Sequence, residues 1–95
     1  MSVTFIINFE VKDEKLSDFL IIMRDVKAEL PETEGCIGIT IHNSIKVPSN
    51  YTIVERWESK EYHEKHVKIL LDTGAWEHIS SHLASDPVSD YYKTI

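Results

Sequence analysis

The sequence predicts one α+β domain with the element order β-α-β-β-α-β, and three patterns carry that prediction. Two-residue alternation marks the first strand, apolar side chains at three- and four-residue spacing mark two helical regions, and turn-forming residues separate the blocks. At 95 residues the chain has material for a single domain spanning 1–95.

Residues 3 to 11 alternate, with Val3, Phe5, Ile7, Phe9 and Val11 on one side and Thr4, Ile6, Asn8 and Glu10 on the other. This is a strand with one apolar and one mixed face. Asp13 is the expected N-cap of a helix in which Leu16, Phe19, Leu20, Met23, Val26 and Leu30 share a face and Pro31 stops the run. A second strand is expected over 36 to 43, with Ile37, Ile39 and Ile41 opposed to Gly38, Thr40 and His42. The turn SIKVPSN leads to a third strand over 51 to 58. Ser59 caps a second helix that Asp72-Thr73-Gly74 bends or breaks, and its second piece, with Trp76, Ile79 and Leu83 in register, runs to Asp86-Pro87. Residues 88 to 95 form a last, edge strand.

Right-handed crossovers in both β-α-β units put the helices on one face of an antiparallel, ferredoxin-like sheet. The other face is then bare. Ile6 beside Asn8 is too polar a mixture for a core and too apolar for plain surface, so a pocket or a dimer interface is expected there.

Composition narrows the function classes. Sixteen acidic residues against ten basic ones give a formal charge of −6, and the basic residues form no run. Nucleic acid and anionic membrane surfaces are therefore not expected partners, because both are bound through clustered Lys and Arg. The lone Cys36 leaves no internal disulfide and fits a reducing compartment. No stretch approaches the roughly 20 apolar residues of a membrane helix, and no secretory signal is read at the start, so a cytoplasmic protein is expected.

Four residues stand out for chemistry. Asn8, in an otherwise β-favouring strand, needs a partner if buried, either an interface amide or an oxygen of a bound substrate. His66 and His63 lie three apart on the second helix, so each is a packed imidazole or a proton-handling group near neutral pH. Glu55 lies two residues before Trp57 and shares its strand face. If that face forms the pocket, the carboxylate is desolvated and suited to proton abstraction; otherwise it pairs with a cation across a dimer. The histidines show no metal-binding spacing, and no metal or other cofactor is expected.

The segment Glu55-Arg56-Trp57-Glu58-Ser59 resembles the antibiotic biosynthesis monooxygenase family, as do His66 nine positions after that Trp, the Glu34-Gly35-Cys36 entry to strand two, and the final strand from Pro87 to Tyr92. The resemblance covers about 3 to 94. It implies a dimeric α+β barrel in which two sheets pack face to face, with each protomer keeping a pocket. It also implies cofactor-independent oxygenation of a quinol or polyphenol-type aromatic molecule. Asn8 and Trp57 would then hold the substrate, and His66 or Glu55 would move the proton, with His63 and Trp76 as further substrate contacts. Related branches degrade haem or isomerise small metabolites. In the haem-degrading branch the second helix carries an axial His, and the matching position here is Trp76, which makes haem chemistry a minor alternative. An isomerase on the same fold and a non-catalytic dimeric binding module are the other readings.

Overall fold

The computed structural model describes residues 2–95. Strand β1 (Val3–Glu10) is followed by helix α1 (Leu16–Glu29), strands β2 (Cys36–Asn43) and β3 (Asn50–Trp57), helices α2 (Lys60–Thr73) and α3 (Ala75–Ser80), and strand β4 (Val88–Tyr92). The strands form one antiparallel sheet in the order β2-β3-β1-β4, which is the ferredoxin-like arrangement.

The pleat sorts the side chains. Phe5 pairs with Glu55, Ile7 with Ile53, and Phe9 with Tyr51, so these six share one face. That face meets Phe19 and Met23 of α1, both nearly free of solvent, and Leu83. Phe19 lies edge-on to Phe9 and Tyr51, with ring centroids 5.6 and 5.1 Å apart, a favoured aromatic geometry. The core is therefore the odd-numbered face of β1 and β3 against α1.

Several element ends differ from the sequence reading. Val11 leaves the strand and makes an isolated bridge to Leu83. Asp13 opens a 3-10 turn, Asp13–Lys15, rather than capping a helix, and no side chain caps α1. Pro31 sits inside a second 3-10 turn, Leu30–Glu32, where its fixed φ and missing N–H are tolerated. Ser59 does cap α2, its hydroxyl accepting from the Tyr62 N–H at 3.3 Å. Gly74, at φ +80°, ends α2 in the left-handed conformation that glycine adopts without strain, and α3 stops at Ser80. Ile37 is displaced from the expected alternation by a bulge between Cys36 and Gly38 and is exposed.

Gly35 is fixed by two constraints at once. Its φ is +86°, and a Cβ there would clash with Cβ, Cγ and Cδ1 of Tyr62. The close approach lets the Gly35 carbonyl accept from the Glu58 N–H at 2.8 Å, tying the entry of β2 to the exit of β3.

On the sheet's other face lie Thr4, Ile6, Asn8 and Glu10, with Thr52, Val54 and Arg56 of β3 opposite them and Val88, Asp90 and Tyr92 on β4. Among the described residues, no helix covers it. Ile6 and Val54 at the centre are half-buried, while Val88 and Tyr92 on the edge strand β4 are exposed, so apolar side chains run across the patch among polar ones.

Candidate functional site

A cavity of about 380 Å³ opens between the covered face of the sheet and the helices. Phe5, Ile7, Phe9 and Ile53 form its sheet side, with Val26 and Leu30 from the α1 region and Val67 and Leu70 from α2. Trp76 and Ile79 of α3 contribute a further wall. The volume is in the range of small-molecule pockets. Four titratable groups stand in this largely apolar lining: Glu29, which is exposed, and Glu55, His63 and His66, which lie deeper. No Lys or Arg is among its lining residues.

Glu55 reaches the core face because β3 alternates, and the same parity carries Tyr51, Ile53 and Trp57 inward. Its carboxylate is nearly solvent-free and takes one protein hydrogen bond among the described residues, from the Trp57 indole N–H to Oε1 at 2.9 Å. Burial pushes the carboxyl above its ordinary range, and the indole donor offsets that only in part. Trp57 itself is fully buried and does not line the cavity. Its ring is covered by His63 and His66, at centroid distances of 5.4 and 5.3 Å. The structure therefore puts Trp57 behind Glu55, as the group that orients it, rather than in the pocket wall.

His63 is the deepest imidazole, 3 % exposed and tilted over Phe5 with ring centroids 4.0 Å apart. Its Nδ1 lies 2.6 Å from the Tyr91 hydroxyl, and its Nε2 lies 3.7 Å from Glu55 Oε1. Burial, helped by the neighbouring His66, lowers its pKa to about 4. At neutral pH it is uncharged, so the contact with Glu55 is polar but not an ion pair. His66, half-buried one turn on, is lowered in the same direction by burial. The helical spacing of three brings both rings to one site, as the sequence indicates.

Asn8 is not part of this site. It pairs with Thr52 on the bare face, where its Oδ1 accepts from the Thr52 hydroxyl at 2.6 Å. It is exposed and borders only a shallow groove with Glu10, Ser44 and Thr52. The cavity thus lies under the helices, not on the mixed face where the sequence alone would seek it. There Val26 and Leu30 on the α1 side, Val67 and Leu70 of α2, and Trp76 and Ile79 of α3 face the sheet around a gap.

Tyr91 escapes sequence reasoning, because the pair Tyr91-Tyr92 hides which ring turns inward. The register Phe5↔Tyr91 decides it. Glu55 had a readable signal: Tyr51, Ile53 and Trp57 share its parity and are large and apolar, which marks a core face. Among the described residues, no cluster of three or more His, Cys, Asp or Glu side chains is arranged to hold a metal ion. Nor is any helix long and apolar enough to cross a membrane.

Comparison with known proteins places this architecture. The model of a family described as antibiotic biosynthesis monooxygenase matches residues 2–69. Among solved structures, a conserved protein from Methanosarcina mazei Go1 superposes with a TM-score of 0.87 at 19% identity, covering 100% of this chain and 94% of that one. Rv0793 from Mycobacterium tuberculosis gives 0.86 at 13% identity, covering 100% and 96%. A variant of SnoaB, a cofactor-independent oxygenase from Streptomyces nogalater, gives 0.83 at 12% identity, covering 98% and 92%. At these identities the likeness is one of fold. No curated protein sequence matches the chain.

The depressed His63 gives a pH test. In the folded chain His63 stays neutral down to about 4, whereas an unfolded His takes up its proton near 6.5. Unfolding between those values therefore binds a proton, and stability falls as pH drops through that window. The raised Glu55 acts with the opposite sign there, so the comparison is made against His63→Gln. Urea unfolding from pH 7 to pH 4 is expected to show wild type losing stability faster than the variant, by a slope approaching about one proton. Parallel curves would contradict the assignment.

Proposed function

Because the chain belongs to the antibiotic biosynthesis monooxygenase family, we propose that it is a cofactor-independent monooxygenase acting on a quinol or polyphenol-type aromatic molecule. The observation that carries this reading is Glu55, a buried carboxylate with one protein hydrogen bond, facing a largely apolar cavity. Glu55 removes a phenolic proton. The electron-rich ring then reduces oxygen: one atom enters the ring as a hydroxyl, and the other leaves as water with the two hydroxyl hydrogens of the quinol. The product is a hydroxyquinone, and the substrate has supplied all the electrons. The protein supplies orientation and the exclusion of water, through the aliphatic walls and Trp76. Trp57 holds the base in place, and His63 and His66 donate or accept at the substrate oxygens.

The test is oxygen uptake with a panel of quinols and no added metal or flavin. Glu55→Gln is expected to lose about a hundredfold or more of the rate, the usual contribution of a positioned base, while Asn8→Ala changes it little. No uptake with any quinol, or an unaffected Glu55→Gln, would sink the reading.

The reading extends to assembly. We propose that the bare face pairs with the same face of a second copy, burying Ile6, Val54, Val88 and Tyr92. Half-buried Ile6 and Val54 at the centre of the uncovered sheet, continued by exposed Val88 and Tyr92 on its edge strand, support this. Light scattering after size exclusion should give twice the 11.0 kDa chain mass, and Ile6→Asp should give the single mass. A wild-type monomer would refute the pairing.

A further inference from the structure

The Tyr91 hydroxyl, 2.6 Å from His63 Nδ1, is the only polar partner within hydrogen-bond distance of that imidazole among the described residues. This contact determines which way the ring can serve the cavity. Burial, together with Glu64 and Glu55, pushes the Tyr91 phenol above its ordinary range, so it stays protonated and can donate. A neutral imidazole has one lone pair to receive that proton. With Nδ1 accepting, the ring hydrogen sits on Nε2, on the side of Glu55. The opposite tautomer would turn an imidazole lone pair toward the carboxylate oxygen, which is unfavourable while Glu55 is ionised. Phe5 packed on the ring at 4.0 Å, with Lys60 Nζ 5.2 Å over the Tyr91 ring, restrains both partners.

Nε2 and Glu55 Oε1 are 3.7 Å apart, too far to satisfy each other. Both residues line the cavity, so a ligand oxygen can sit against the two. We propose that Tyr91, by fixing the His63 tautomer, makes His63 and Glu55 a paired site for a neutral hydroxyl group, which accepts from Nε2–H and donates to the carboxylate. An ether or ketone satisfies only the histidine, and a ligand carboxylate would meet Glu55 with like charge. Tyr91 is a positioning residue in this arrangement; it does not line the cavity. The inference rests on the reading of this cavity as the substrate site, and not on oxygen chemistry.

The experiment has two arms, both without turnover. Nitrogen-15 NMR of the histidine rings should find His63 of the wild type as the Nε2–H tautomer; an Nδ1–H tautomer overturns the proposal with no variant needed. In anaerobic buffer, binding of β-naphthol, its methyl ether and naphthalene is then followed by tryptophan fluorescence, since Trp76 lines the cavity. Wild type should bind β-naphthol about tenfold more tightly than naphthalene, with the methyl ether in between. Tyr91→Phe should lose several-fold of that advantage while naphthalene binds as before. Equal binding of all three by wild type, or an equal loss for naphthol and naphthalene in the variant, would overturn the proposal, the latter reducing Tyr91 to a structural role. The expected binding pattern without any oxygen uptake would count against the oxygenase reading and leave the hydroxyl site standing.

Discussion

The hydrogen bond from Trp57 to Glu55 constrains the rest of this molecule. A carboxylate taken out of water costs several kcal/mol. One donor to a charged group returns about 1.5–3 kcal/mol. The two do not balance, which is why burial lifts Glu55 above the ordinary carboxylate range despite the indole. The residual cost stays at the site, where a ligand proton or hydroxyl can relieve it. The alternation of β3 makes this possible, because one parity carries Tyr51 and Ile53 into the core and Glu55 and Trp57 to the end of it. Helix α2 closes the site, since its first turns lay His63 and His66 over the indole.

The helix positions follow from the chain's turns. Ser59 caps α2 directly after Trp57, so the first turns of the helix fall over the end of β3. Gly35 lets Tyr62 approach the backbone, which draws that same turn against the start of β2. Gly74 then breaks the helix, and α3 carries Trp76 back toward Phe9, with ring centroids 6.3 Å apart. The gap enclosed by these bends is the cavity. Its lining is largely apolar, broken by Glu29, Thr33, Glu55, His63, His66 and Ser89.

The element order, the Ser59 cap, the break at Gly74 and the bare sheet face were all legible as periodicity and turn chemistry. So was the clustering of His63 and His66, which follows from helical spacing alone. The location of the site was not. Asn8 and Glu55 each stand out locally, but whether they share a face depends on the pairing of β1 with β3. That register is a long-range property: Asn8 opposes Thr52, and Glu55 opposes Phe5. Tyr91 was hidden for the same reason, and the bulge at Ile37 has no sequence signature beyond the neighbouring glycine. The mixed face of β1 drew attention as a site because it is uncovered, whereas the cavity is made by helices that cover the sheet incompletely.

The proposed function divides the work between the two faces: the covered one would hold a small molecule, and the bare one would pair with a second copy. The most direct measurement of that division is mapping of backbone and side-chain NMR shifts as a naphthol is titrated under anaerobic conditions. Perturbations centred on Phe5, Glu55, His63 and Leu70 are expected. Shifts confined to Asn8, Thr52 and Val54, with Glu55 and His63 silent, would contradict the account.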